Sequence, residues 1–282
     1  MLSEAEQPAW SRKLRRTGLR WRSYAGATGA LVQRRELRYG SPGFLAASDL
    51  ARSLPASDRA PALIESLARR PALLRGVTAV CRLPVTDLQV RKADADAWWF
   101  RHWFTSRRQL GWAVLDLPGA EDHYLTGRHR QALRTNLRHA RASGVTSSQV
   151  SYEIWAEAAS TILRARDATP GPEHGRPGPG QRADFYVART ACGEPLAFAE
   201  VALFGQFAGL ALLVSHPDRQ PDSSWARYQL HTRLVNDLSS YGVKHLVSGS
   251  ALTETTGTQY FQHLLGYQAR NLRVKVIPSR TT

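Results

Sequence analysis

The chain has 282 residues, of which 43% are hydrophobic, and this content is enough to bury one large domain or two smaller ones. Its 38 lysines and arginines against 23 aspartates and glutamates give a formal net charge of +15, which favours an anionic partner such as a nucleotide cofactor, RNA or an acidic surface. Two cysteines exclude a disulfide framework, and no spacing of Cys or His indicates a metal site, so we expect a cytoplasmic protein without a metal.

Neither a signal peptide nor a membrane span is expected. Residues 1–10 carry two glutamates and no apolar run, unlike a signal peptide. The uncharged stretch 201–217 is interrupted by Gly205, Gln206 and Phe207, and it is shorter than the roughly 20 residues that a transmembrane helix needs.

Residues 1–110 form a basic N-terminal region. Arginines at 12–38 with tryptophan nearby are typical of a single-strand nucleic-acid binder, but a solvated arm has the same composition. The prolines in 46–74 predict short helices, and the apolar run 76–84 predicts a buried strand. Spaced aromatic residues predict a helix at 94–109.

From residue 111 onward the pattern becomes regular. The run 111–118 predicts a strand and 124–143 a helix, in which Leu133, Leu137 and Ala140 share one face. Four arginines recur on the opposite face: Arg130, Arg134, Arg138 and Arg141. Like charges at this spacing destabilise a helix by roughly 0.2–0.5 kcal/mol per pair. This arginine stripe therefore either binds an anion or is a solvated face that the apolar side of the helix tolerates.

The remainder predicts alternating helices and strands around one long loop. A strand at 149–154 and a helix at 155–167 precede a Pro- and Gly-rich loop at 170–182, which is either a connector or a mobile lid. Strands separated by tight turns then predict a three-stranded antiparallel meander at 184–191, 195–204 and 207–215. The last predicted elements are a helix, a strand, a short helix and a strand, at 222–241, 244–248, 258–265 and 267–277.

This order of elements resembles the GNAT superfamily of N-acyltransferases, and three segments resemble its Fem-type branch. RHRQALRTNLRHARASGV at 128–145 looks like the helix that opens the acyltransferase domain, GEPLAFAEVALF at 193–204 like a hairpin of that domain, and GTQYFQHLLGYQARNLRV at 257–274 like its closing helix and strand. The resemblance covers a little over half of the chain. It implies an α+β domain at 111–282 with a mixed, mostly antiparallel sheet flanked by helices. Residues 1–110 are then an N-terminal extension or a degenerate second GNAT-like domain, since Fem-type proteins carry two.

In such a fold the acyl donor lies between the third meander strand and the strand at 244–248. The resemblance implies that the donor arm pairs with the backbone of Leu213, Val214 and Ser215. It also places the pyrophosphate of coenzyme A at the start of the helix 222–241, where free N–H groups and the helix dipole favour an anion. The Gly-rich loop of acetyl-CoA-dependent members is missing here. The side chains that could bind the donor instead are Arg219, Ser223, Ser224 and Arg227.

Acyl transfer to an amine needs a base for the ammonium proton and an acid for the leaving group. Glu200 lies between apolar neighbours on the middle meander strand, which strengthen a carboxylate as a base, and the alternative is a surface carboxylate. Tyr260 occupies the position from which family members often supply the acid, and its alternative role is that of a core aromatic. His231 on the helix 222–241 is expected to be structural.

Three functions remain open. The first is transfer of an acyl group from acyl-CoA, such as acetyl-CoA, to a small-molecule or peptide amine. The second is Fem-type transfer from aminoacyl-tRNA, because Fem-type enzymes also lack the glycine loop and the arginine stripe suits tRNA phosphates. The third is a catalytically inactive GNAT-like module that binds an anionic partner such as RNA.

Overall fold

In the computed structural model, the residues that the structure describes are 39, 41, 44, 45, 47, 48, 79, 80, 83–96, 100, 111–119, 124–168 and 182–278. They all belong to the unit Arg35–Thr282. The predictions for 12–38, for most of 46–74 and for the loop 170–181 fall outside these residues. No helix in the described ranges is long and apolar enough to cross a lipid bilayer.

The strands with described bounds are β1 Val85–Arg91, β2 Trp112–Asp116, β3 Thr146–Val150, β4 Ala183–Arg189, β5 Pro195–Phe204, β6 Phe207–Ser215, β7 His245–Ser250 and β8 Gln268–Ile277. The helices are α1 Lys92–Asp96, α2 Gln131–Ala142, α3 Tyr152–Ala165, α4 Asp222–Ser240 and α5 Thr256–Leu265. A single turn of 3-10 helix, Arg128–Arg130, leads into α2. The predicted meander is confirmed, and the bounds of β5 and β6 agree with the prediction to the residue.

One eight-stranded sheet runs through these elements in the order β1-β8-β2-β7-β6-β5-β4-β3. The pairs β1 with β8 and β6 with β7 are parallel, and the other neighbouring strands are antiparallel. Helices α2 and α4 pack on one face of the sheet, and α3 packs on the other. This mixed, mostly antiparallel sheet with flanking helices confirms the predicted α+β, GNAT-like fold class.

The strand predicted at 76–84 is wrong. Ala79 and Val80 are helical, and the strand of this region is β1, which begins after Pro84. A short apolar run can form a buried helix as well as a buried strand, and periodicity alone cannot separate the two. Strand β1 pairs with β8 over the whole of Val85–Arg91, and the predicted division of the chain at residue 110 stays a prediction.

Strand β5 is covered on both faces. Ala197, Ala199 and Val201 belong to the apolar cluster that includes α2 and α4. On the other face, the Phe198 ring lies 5.6 Å from that of Trp155 in α3. A strand without a solvated side has apolar residues in succession, which explains the near-continuous apolar run of this segment.

The turn between α5 and β8 is built around Arg130. Gly266 ends α5 with a φ of +84°, a left-handed conformation that glycine adopts readily. The Arg130 guanidinium lies directly against Gly266, and its Nη1 donates to Leu264 O at 3.0 Å. Gly266 therefore leaves room for a buried cation that connects the start of α2 to the end of α5.

A hydrogen-bonded chain of Tyr124, His231 and Tyr267 lies beside this cation. Tyr124 donates its hydroxyl proton to Leu265 O at 3.2 Å, so its oxygen accepts from His231 Nδ1, also at 3.2 Å. His231 Nε2 then accepts from the Tyr267 hydroxyl at 3.0 Å. Burial, with a smaller contribution from the charge of Arg130, lowers the pKa of His231 to about 3, so the ring is neutral. This placement agrees with a structural role for His231.

Replacing Gly266 with Ala should lower the free energy of unfolding by about 3 kcal/mol or more, because the strained φ costs roughly 1–2 kcal/mol and the new methyl overlaps the Arg130 guanidinium. Gly242→Ala is a matched control, since Gly242 also has a positive φ, +76°, but open space around its Cβ position. It should cost only the backbone strain, about 1–2 kcal/mol. Denaturant unfolding of both variants measures the difference, and equal losses would contradict the contact with Arg130.

The neutral state of His231 makes stability depend on pH. Its folded pKa of about 3 lies below the unfolded value of 6.5, so its contribution is complete above about pH 6.5 and is lost as the pH falls toward 3. When the pH is lowered from 7.5 to 5, the free energy of unfolding of wild type should therefore fall by about 2 kcal/mol more than that of His231→Gln. The variant should still be less stable than wild type at both pH values. Denaturant unfolding at the two pH values measures both losses. Parallel losses would show that His231 does not titrate on unfolding.

Candidate active site

Strands β6 and β7 run side by side for only three residue pairs, which end at Gly209 with Val247. Beyond this point β6 continues beside β5 as far as Ser215, but no described strand pairs with its other edge. Backbone N–H and C=O groups that are withdrawn from water need partners, so this open edge is able to bind an extended ligand. The two parallel strands thus form the cleft that the resemblance predicts.

A cavity of about 260 Å³ occupies this cleft. Its walls are the open edge of β6, the end of β7, one side chain of α4 and the inner face of α5. Three of the predicted donor-binding residues line it: Leu213, Val214 and Arg227. The cleft therefore brings together the strand edge and one cation from that set.

Arg227 is a half-buried cation on α4. Its guanidinium carbon lies 4.8 Å from the centre of the Phe261 ring. Its Nε has no hydrogen-bond partner among the described residues, and none of their carboxylates forms an ion pair with it. Burial, assisted by the nearby charge of Arg166, lowers the pKa of Arg227. The group stays a cation, because arginine is protonated throughout the physiological range.

The first turn of α4 has little capacity left for an anion. The N–H of Ser223 donates to Arg219 O at 2.9 Å, and the N–H of half-buried Ser224 donates to Pro221 O at 2.9 Å. Asp222 adds a carboxylate at the same place. A helix start binds phosphate through free N–H groups, so an anion near this helix would depend on side chains instead.

The other predicted donor-binding residues have partners within the fold or face inward. Arg219 forms an exposed ion pair with Glu194, with 3.2 Å between Nη2 and Oε1. Ser215 is buried, and its carbonyl accepts from Arg166 Nε at 2.9 Å. Ser223 is fully buried, and its hydroxyl has no hydrogen-bond partner in the described part of the chain. Donor binding by these residues stays a prediction.

Glu200 and Tyr260, the predicted base and acid, do not line the cavity. Glu200 is fully buried in β5, one strand away from the open edge, because its neighbour across the ladder is Leu212 of β6. Tyr260 is 51% exposed, and its ring lies 6.3 Å from that of Tyr39. Their catalytic roles also stay predictions.

Glu254 is the one acid among the described residues that line the cleft, and the sequence interpretation did not identify it. It lies in the loop after β7, where no helical or strand periodicity marks a functional position. Gly249 makes room for it, since a Cβ at that position would stand 2.9 Å from Glu254 Oε1. Its position directly after the predicted cleft strand is the signal that could have found it.

The arginine stripe is not continuous. Arg130 is buried against the turn after α5, and Arg134 donates from Nη1 to Leu125 O at 2.6 Å. Both groups thus bond backbone carbonyls of neighbouring segments. Arg138 and Arg141 are exposed, and anion binding stays a prediction for all four arginines.

A second cavity, of about 430 Å³, lies next to the cleft. Gln262 and Tyr267 line both cavities and so form a shared wall. Phe44 and His263 belong to its remaining lining, and burial lowers the pKa of His263. The two cavities are therefore adjacent, with Gln262 and Tyr267 between them.

Several solved structures are similar to part of this chain. L-PGS from Bacillus licheniformis is 16% identical over 57% of this chain and 58% of its own, with a TM-score of 0.43. A GCN5-related N-acetyltransferase from Kribbella flavida is 17% identical over 57% of this chain and 54% of its own, with a TM-score of 0.34. FemX is 10% identical over 58% of this chain and 60% of its own, with a TM-score of 0.46.

The matched region spans less than two thirds of each of these three chains. No protein-family model and no curated protein sequence matches the chain significantly. By the topology of its sheet, the described part of the chain has a GNAT-like fold, in keeping with the resemblance of its sequence to the Fem-type branch.

Proposed function

We propose that this protein transfers an acyl group from an activated donor to an amine, in the cleft between β6 and β7. The observation that carries the proposal is the open edge of β6 beside a cavity of about 260 Å³. An extended donor arm can pair with this edge as an added strand would, which needs no particular side chain. The acyl carbonyl then lies at the wall that the cleft shares with the second cavity.

The second cavity is proposed to receive the amine acceptor. Its shared lining of Gln262 and Tyr267 puts an acceptor beside the donor cleft, and these two side chains must leave a passage through which the two substrates touch. The acceptor nitrogen attacks the acyl carbon, a C–N bond forms, and the bond from that carbon to the donor sulfur or oxygen breaks. The nitrogen loses a proton to a carboxylate, and the leaving group takes up a proton as it departs.

Glu254 is our candidate for that carboxylate, because it lines the cleft. Glu200 is the base predicted from the sequence, but from β5 it reaches the reacting atoms only if the substrate or the strand edge shifts. Tyr260 is the acid predicted from the sequence. Glu254 and Glu200 are thus two candidates for the same role, that of the base, and one experiment can distinguish them.

The donor is proposed to be acyl-CoA, as in most GNAT-like enzymes, and aminoacyl-tRNA is the alternative. The bonded first turn of α4 favours the alternative, since it lacks the free N–H groups that usually bind the pyrophosphate of coenzyme A. A catalytically inactive binding module is the second alternative. It would bind an anionic partner and release no product from either donor.

Glu254→Gln should lower the rate of acyl transfer by about 10²-fold or more and leave donor affinity nearly unchanged, because a base acts on the transition state. The test incubates the purified chain with acetyl-CoA or with aminoacylated tRNA and a panel of amines, and follows amide formation. Glu200→Gln is run beside it. If Glu200→Gln alone slows the reaction, the base is Glu200. If wild type binds tRNA or coenzyme A but forms no amide from either donor, the result favours the binding-module alternative.

Tyr260→Phe serves as a further comparison in the same assay. Tyr260 is 51% exposed and the variant keeps its ring, so the variant should unfold at nearly the wild-type temperature. A role as the acid predicts a rate loss of about 10²-fold. An unchanged rate would remove Tyr260 from the mechanism.

A further inference from the structure

Helix α5 lies between the two cavities. Thr258 and Phe261 line the donor cleft. Gln259 and His263 line the second cavity. Residues three and four apart lie on the same side of a helix, so these two sets mark two neighbouring stripes along α5. Of the residues of α5, all of which the structure describes, Gln262 alone lines both cavities.

The carboxamide of Gln262 has no partner within the described fold. No hydrogen bond joins its Oε1 or Nε2 to any residue that the structure describes. The residue is only 6% exposed, and it borders both cavities. Buried polar groups in folded proteins are nearly always hydrogen-bonded, so an unbonded carboxamide at a cavity indicates a ligand or ordered water in that space.

Gln259, three residues earlier on the same helix, is a glutamine with a structural role. It is 5% exposed, as buried as Gln262, and its Nε2 donates to Ala251 O at 3.1 Å and to Leu252 O at 3.0 Å. These bonds connect α5 to the loop after β7. The two glutamines differ in their partners and not in their burial. Hydrogen bonding to the fold therefore explains Gln259 and does not explain Gln262.

We propose that the Gln262 carboxamide is a catalytic group, whose Oε1 accepts an N–H of the attacking amine and whose Nε2 donates to the acyl oxygen. This rests on the proposed function, which places the acyl donor on one side of Gln262 and the amine on the other. In the tetrahedral intermediate, the nitrogen and the oxygen are bonded to one carbon, as Nε2 and Oε1 are in the carboxamide. The two pairs of atoms therefore have similar spacing, and two parallel hydrogen bonds can form.

These two hydrogen bonds strengthen as the reaction proceeds. When the C–N bond forms, the acyl oxygen gains negative charge and the attacking nitrogen gains positive charge. The first change strengthens the bond from Nε2, and the second strengthens the bond to Oε1. Gln262 stays neutral throughout and neither gives up nor takes up a proton, so the ammonium proton still passes to the carboxylate base. A neutral amide also needs no counter-ion, which suits a position with little access to water.

The first measurement compares thermal unfolding of two matched variants of the full chain, Gln262→Met and Gln259→Met, without substrate. Methionine keeps roughly the length of the side chain and removes both hydrogen-bonding groups. Gln262→Met should unfold at or above the wild-type temperature, because no bond to the described fold is lost. Gln259→Met should unfold at least about 3 °C lower, because two backbone carbonyls lose this donor.

The second measurement is the transfer assay with acetyl-CoA, aminoacylated tRNA and the amine panel. We expect Gln262→Met to lower kcat by about 10²-fold and to leave the KM of the donor nearly unchanged, because both bonds act on the transition state. Gln262→Glu keeps an acceptor for the amine but places a negative charge where Nε2 would donate to the acyl oxygen. It should therefore lower kcat by at least as much.

Each outcome decides one point. If wild type forms amide and Gln262→Met has the same kcat, this proposal is wrong and the proposed function stands. A kcat of Gln262→Glu near that of wild type would overturn the assignment of Nε2 to the acyl oxygen. If Gln262→Met unfolds as early as Gln259→Met, Gln262 has a structural role, and the proposal fails whatever the activity. If wild type forms no amide, the proposed function fails and this proposal fails with it.

Discussion

The early separation of β6 from β7 is the constraint on which the rest of the site depends. Two parallel strands in one sheet normally continue side by side, because each satisfies the backbone groups of the other. Here the pairing stops after Gly209 and Val247, while the other edge of β6 remains bonded to β5 as far as Ser215. The result is a strand with one edge that no described strand pairs beyond Gly209, and the cavity, Arg227 and Glu254 are all arranged around it.

Charge is distributed around this edge in an unusual way. The chain carries an excess of cations, yet most of the arginines near the fold's interior bond backbone carbonyls, as Arg130 and Arg134 do. Arg227 differs because its neighbours are an aromatic ring and a second cation, so the surrounding protein does not balance its charge. A high net charge is therefore a poor guide to which arginine binds a ligand.

The part of the fold that follows from local patterns was predictable from the sequence. The meander could be placed because Gly205 and Gly193 mark its turns, and both have a positive φ in the structure. Strand β1 was missed although its buried residues alternate regularly, since Pro84 closes a more conspicuous apolar run. The site was harder to predict. Glu254 lies in a loop without periodicity, and no local pattern marks Arg227 rather than Arg219 as the arginine that lines the cleft.

Tyr267 and Gln262 face two cavities at once, and this has a consequence for how the protein can change. Replacing a residue that lines one cavity alters the ligand preference of that cavity only. A residue of a common partition cannot, because any change in its size moves the boundary of both compartments. Tyr267 is further constrained by its hydrogen bond to buried His231. Substitutions that change which ligand either cavity binds should therefore occur at the outer walls of the two cavities, and not at Gln262 or Tyr267.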